Sequence, residues 1–468
     1  MYKTTGAQVY TATGGDNIDI TNTSNAAFTT TNTAITFGTA NIELANGVDL
    51  TLDSGDGAGA ITLVAIDGHS SEAVTIDAGT GATSVGAIGA GTEIGAVTIG
   101  SDENGTITLN GAITTTGAVN LDGPVSLATG AITVDSSAGD AAINFLHTID
   151  GAQNLTLSSG GGAVDINGII GSTTAIGTLT VNASGTGTIA IEQIGDGDPA
   201  SGSLGATIGN TGTTSVTFDG TQYTMNGATT VTAQSGDSII FSGGGATTFT
   251  TSNDAITFGT GTVQLSDAAD LTITSANGAV SVASVGGTTS EDITINAGTG
   301  TLAVGAIGNA DEINTVTLTG STITLSGDIT TSNAANNNVD INGAVVIDGA
   351  VVIDTDNTND GNIDFSTNTI NAEGNSTDSL TLTSGGGTIT MGGIVGGTAA
   401  LDSFTVNADA LTIAANITTD NGLIDINAPV TISGTTVAIN SGSGTGNIEF
   451  SSTIDASEIR TKNLDILS

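Results

Sequence analysis

Between Asp354 and Asp364 the chain sets oxygen-bearing side chains around a single glycine: Asp354-Thr355-Asp356-Asn357-Thr358-Asn359-Asp360-Gly361-Asn362-Ile363-Asp364. Calcium takes hard oxygen ligands, and a loop that wraps it needs a residue that bends sharply. Asp356, Asp360 and Asp364 are therefore candidate calcium ligands, with Gly361 at the bend and Ile363 in register. Counted as a calcium loop from Asp356, two positions depart from that chemistry. Thr358 stands where Asp or Asn is usual, and Thr367 stands where a bidentate Glu would close the shell. Two counterparts, Ser136-Ser137-Ala138-Gly139-Asp140 and Ser441-Gly442-Ser443-Gly444-Thr445, lead into the same kind of strand without the acids. The strand itself therefore needs no metal, and a plain acidic turn is the alternative reading. Asp196-Gly197-Asp198 is a weaker instance of the pattern.

Other chemistry finds few residues. His69 and His147 stand alone, with no Ser-His-Asp or zinc pattern around them, and read as turn or surface histidines. The Gly triplets lack the Lys of a phosphate loop and read as turns. Cys is absent, which removes disulfides and thiolate metal sites. Cleavage of acidic polysaccharides by elimination needs an Arg or Lys, and the only cations are Lys3, Arg460 and Lys462. Hydrolysis needs only paired carboxylates, but adjacent acids occur only at Asp102-Glu103, Glu291-Asp292 and Asp311-Glu312, and there is no Trp on which a sugar could stack. The expectation is a chain that is not an enzyme.

Charge narrows the partners. Asp and Glu number 46 against 3 Lys and Arg, a formal net charge of −43. Nucleic acid and anionic lipid surfaces are bound by neutralising phosphates, which this chain cannot do. Cations and cationic surfaces are its natural counterparts, and the acidity also keeps a Gly-rich sheet protein soluble. From residue 4 to residue 459 trypsin-like proteases find no Lys or Arg. No run reaches the ~18 apolar residues of a membrane helix, and the first twenty residues hold no signal-like apolar stretch. Both termini fall inside repeats, so the chain is expected to be a piece of a longer protein.

The elements that must position these residues are short and repeated. Ala34-Ile35-Thr36-Phe37-Gly38-Thr39 returns as Ala255-Ile256-Thr257-Phe258-Gly259-Thr260, and Val85-Gly86-Ala87-Ile88-Gly89 returns as Val304-Gly305-Ala306-Ile307-Gly308. Small drifts in offset are what a stacked repeat tolerates in its loops. Residues 1–230 form a first long repeat block, 231–440 a second continuous with it, and 441–468 the start of a third. Within them, words such as Val97-Thr98-Ile99, Ile107-Thr108-Leu109 and Leu179-Thr180-Val181 alternate with period two, the mark of strands with one buried face. Gly, Asn, Asp and Ser clusters separate them, and no stretch shows a 3.6 period with helix caps. The fold is therefore all-β. A sandwich would use longer strands and more aromatics; three-residue strands with small apolar residues suit a right-handed parallel β-helix, a β-solenoid of roughly 20 coils of about 20 to 24 residues.

Thr5-Gly6-Ala7-Gln8-Val9-Tyr10, Ile149-Asp150-Gly151-Ala152-Gln153-Asn154-Leu155-Thr156-Leu157 and Gly168-Ile169-Ile170-Gly171-Ser172-Thr173-Thr174-Ala175 are similar to the repeats of filamentous-haemagglutinin-like adhesins and related β-strand-repeat exoproteins of bacteria. The resemblance covers essentially the whole chain. It implies a secreted or outer-surface segment, stalk or adhesive surface, facing host or neighbouring cells, glycans or matrix, without membrane insertion. A monomeric rod is expected, with end-to-end association as an option and calcium as the one candidate cofactor. A self-assembling surface-layer or filament subunit is the second reading. An ice-binding solenoid is a third: Thr is abundant, but Thr-x-Thr does not recur at one fixed spacing.

Overall fold

The structure is a computed structural model that describes residues 1–13, 16–69, 71–100, 105–197, 201–266, 268–288, 290–308, 311–331, 337–355, 360–374, 377–458 and 462–467. They divide into two compact units, Met1–Ile239 and Ile240–Ser468. Each is a parallel β-solenoid, and together they make about 18 turns. The only helical turn among the described residues is a short 3₁₀ segment, Ser137–Gly139.

In the first unit a coil is built from three short strands, each pairing in parallel with its equivalent one turn on. Ile107–Leu109, Ile113–Thr114 and Val119–Asp122 pair with Val125–Leu127, Ile132–Asp135 and Ile143–Phe145. Alternation directs every second residue inward, and the parallel register stacks those residues into columns. Leu50, Val74, Val97, Val119, Ile143, Val164, Ile189 and Val216 form one such column, all buried. In the second unit Leu271, Ile293, Val316, Val339, Ile363, Ile389, Leu411 and Val430 do the same. Each such side chain contributes about 1.5–3 kcal/mol relative to exposure, so the core is a sum over coils.

Coil length departs from a uniform repeat. Ile107 pairs with Val125, a short coil, whereas Val351 pairs with Leu380, a much longer one, and both fall outside the expected range. Inward columns fix register only within strands, so corners absorb the difference. Gly385-Gly386-Gly387 also departs from expectation. Gly160-Gly161-Gly162 is a turn as read, but the second triplet lies inside one strand, Ser379–Met391, whose register against Ser403–Ile413 shifts around Gly385. Glycine here makes a bulge, bending the strand without ending it.

The preserved word Val-Gly-Ala-Ile-Gly has a steric cause. A Cβ on Gly86 would run into the carbonyl oxygen of Val64, and one on Gly305 into that of Ala283. Gly89 and Gly308 close the word with φ of 70° and 71°, and a Cβ there would meet the carbonyls of Thr114 and Thr330. Only glycine fits where adjacent coils approach this closely.

Buried hydroxyls close many corners. Ser54 Oγ donates to Gly59 O at 2.5 Å, and its equivalent in the second copy, Ser275, donates to Gly278 O at 2.5 Å. Ser136, Thr251, Thr355 and Ser441 make the same kind of bond to Ala141, Asp254, Gly361 and Gly446. A polar side chain at the end of an inward column is thereby satisfied, and the turn is fixed.

Candidate functional site

Two acids of the proposed calcium loop, Asp360 and Asp364, fall among the described residues. Asp356 lies outside the described residues, and Asp360 is exposed. Asp364 is an outward residue of Ile363–Asp364, where its Oδ1 accepts from Ser366 N at 2.6 Å. In the preceding coil Asp340 stands directly beside it in the parallel register. Burial, and then the Asp364 charge, push the Asp340 carboxyl above the usual range. Thr355, at the buried start of the loop, binds Gly361 O at 2.8 Å. Among the described residues no group of three His, Cys, Asp or Glu side chains is arranged to hold a metal ion. Of the weaker pattern, Asp198 lies outside the described residues.

Many acids and amides instead join one coil to the next. Asp49 Oδ1 accepts from Ala73 N at 2.8 Å, Asp270 from Asp292 N at 3.0 Å, and Asp292 from Thr315 N at 3.1 Å and Asn314 Nδ2 at 2.7 Å. Asn338 takes Asn362 N and Asn362 takes Thr388 N, both at 2.8 Å. Asp150 and Asp328 do the same at other corners. These are charge-assisted or amide bonds to backbone groups left over where a ladder ends.

Glu72 and Glu291 are the extreme case, and sequence reading missed them. Both are fully buried. Glu72 accepts from Gly47 N at 2.7 Å, His69 N at 2.6 Å and Ser71 Oγ at 2.9 Å. Glu291 accepts from Ala268 N at 3.1 Å, Thr288 N at 2.5 Å, Thr288 Oγ1 at 2.7 Å and Ser290 Oγ at 3.0 Å. Burial alone would push these carboxyls up; the hydrogen bonds outweigh it and hold both at about 2. Each Glu braces its own turn and ties it to the preceding coil. The signal for them was present: Ser-Glu recurs at Ser71-Glu72 and Ser290-Glu291, each three residues after a glycine, Gly68 or Gly287, and just before a Thr-Ile strand word.

The outward face of the second unit carries a two-column array. Thr248, Thr272, Thr294 and Thr317 stand side by side on four successive coils, and Thr250, Thr274, Asn296 and Thr319 form the second column two residues along each strand. The sequence steps from Thr248 to Thr272, to Thr294 and to Thr317 are unequal, yet the ranks hold because the strands are in register. The uneven spacing of Thr-x-Thr in the sequence thus does not break the array. Among the described residues none of these threonine hydroxyls makes a hydrogen bond within the chain. Asp340 and Asn342 end the array on the next coil. Its counterpart in the first unit keeps Thr51, Thr75 and Thr98 in the first column but has Asp53, Asp77 and Gly100 in the second.

Comparison with protein-family models, with characterised proteins and with solved structures finds no match to this chain.

Both histidines lie at corners. His69 is exposed, with Nδ1 3.0 Å from Leu44 O, and His147 Nε2 lies 3.2 Å from Asp122 Oδ1 on the preceding coil. A groove of about 210 Å³ beside the strand Thr262–Leu265 is lined by Thr262, Gln264, Ser284 and Asp311. Its polar side chains bond within the wall, Ser284 Oγ to Thr262 Oγ1 at 3.0 Å and Gln264 Nε2 to Gly287 O at 3.1 Å.

Proposed function

We propose that this chain is a non-enzymatic repeat segment of a secreted or cell-surface bacterial exoprotein, acting as stalk or adhesive surface. The observation that carries the reading is the use of polar groups: Glu72, Glu291, Asp49, Asp270, Asp292 and Asp328 all bond the backbone of their own or a neighbouring coil. A molecule whose acids hold its coils together is built for persistence. The outward hydroxyls and amides, one set per coil, supply repeated weak contacts whose strength comes from number.

Calcium at Asp356, Asp360 and Asp364 belongs to the same proposal as an accessory, since one equivalent corner forms with only Asp140, in the place of Asp360, and another with no acid. The test is retention of the purified chain on bacterial and host cells and on a glycan panel, with calcium and with chelator. Retention supports an adhesive surface. Passage through every matrix leaves the stalk role, and release of reducing sugar from any acidic polysaccharide would overturn the non-enzymatic reading.

A further inference from the structure

We infer that the two-column hydroxyl array of the second unit, Thr248 to Thr319, is a binding face for ice. The inference goes beyond the stalk reading and does not depend on it, because a spacer can carry or lack such a face.

Three observations point to crystalline water. The first is spacing. Parallel strands repeat at about 4.8 Å, and residues two apart on one strand at about 6.6 Å, so the hydroxyls occupy a rigid rectangular grid. Water hydrogen-bonded at about 2.8 Å with tetrahedral angles puts second neighbours about 4.5 Å apart and repeats along the stacking direction at about 7.4 Å, close to the grid in both directions. The second is availability: the threonine hydroxyls of the grid are not used within the chain, and the β-branched side chain holds each in few rotamers. The third is charge. In a chain of net charge −43 the two columns carry no charged side chain on four coils; Asp340 bounds the first column at its end, and the carboxylates along its side, Asp270 and Asp292, accept from the backbone of the next coil. A neutral, regularly hydroxylated patch complements a neutral lattice; an ionised carboxylate would hold its own hydration shell and disrupt it.

The duplication supplies the control. Asp53 and Asp77 occupy the second column of the first copy, so the same backbone accepts Asp there, and that copy lacks the neutral grid.

The experiment uses the full chain and slowly grown polycrystalline ice, with recrystallisation inhibition as a second readout. The wild type is expected to enter the ice and to hold small crystals small. Thr274→Asp with Thr319→Asp imposes the charge of the first copy and is expected to abolish both effects while melting and circular dichroism stay as in the wild type. Thr51→Asp with Thr75→Asp, on the counterpart face of the first unit whose second column already holds Asp53 and Asp77, is expected to leave both effects intact. The inference is overturned if the wild type is excluded from ice like a bulk solute, or if both pairs of substitutions act alike. It is also overturned if the chain ignores ice but is retained on crystalline cellulose or chitin through Thr274 and Thr319, which would make the occupant a polysaccharide.

Discussion

Glu72 and Glu291 show how one side chain fixes a corner. Removing the charge but keeping the shape, Glu72→Gln or Glu291→Gln, replaces charge-assisted acceptors by a group with one oxygen, and each is expected to destabilise its unit by on the order of 2 kcal/mol. A melting series on single and double variants measures this, and additive losses are expected because the two lie in separate units. The pH dependence has a definite sign. Both carboxyls sit at about 2 in the folded chain, below their unfolded value, so their stabilisation is complete above about pH 4.5 and is lost as pH falls toward 2. Asp340 runs the other way: burial and Asp364 raise it, so its ionisation weakens the fold as pH rises. Asp340→Asn should therefore raise the melting temperature at pH 7 and change little at pH 3; an equal effect at both would remove the repulsion from the account. None of these roles follows from residue type, because an acid in a Gly-rich turn reads as solvated until the backbone around it is known. The duplicated Ser-Glu was the one visible hint.

At the scale of strands and corners, Ile107 and Thr108 make a matched pair. Ile107 is fully buried between Thr83 and Val125 in its column, and Thr108 faces outward. Ile107→Asp puts an unpaired carboxylate into the core and should lose about 3–5 kcal/mol, admitting elastase locally; Thr108→Asp should resist cleavage as the wild type does. Corners behave differently from strands. Gly130 sits at an exposed turn with φ of 65° and open space around it, so several Gly-Ser residues inserted after it should leave the melting temperature nearly unchanged. One residue inserted between Thr133 and Val134 should unfold the coil, since it turns a buried column outward. This contrast explains what the sequence made legible. Alternation in Val97-Thr98-Ile99 or Leu179-Thr180-Val181 identified both strand and inward face, because burial of every second residue is a local property. The alignment of Thr248, Thr272, Thr294 and Thr317 was not legible, since register is set by pairing across coils and not by counting along the chain. The bulge at Gly385 was hidden for a similar reason: a Gly triplet suits a turn and a bent strand equally.

For the molecule as a whole, the net charge of −43 sets the response to salt. Self-repulsion opposes the folded state, and the screening length shortens to about 8 Å at physiological ionic strength. The melting temperature should rise between 10 mM and 500 mM sodium chloride, and should do so most at pH 7, where the acids are ionised. Mild acid should help for the same reason until Glu72 and Glu291 protonate, which gives a stability maximum on the acid side of neutrality; a curve that falls steadily from pH 7 would show that the inter-coil carboxylates outweigh repulsion. The columns of Val, Ile and Leu have a last consequence. Because each coil offers its successor nearly the same apolar surface in the same register, coils from the two copies are interchangeable partners. A gene carrying such a duplication can recombine unequally with itself, and a crossover within equivalent strands, such as Val74–Ile76 and Ile293–Ile295, still joins compatible surfaces. The number of coils is thus free to change in inheritance by whole blocks, without a new fold having to be found each time.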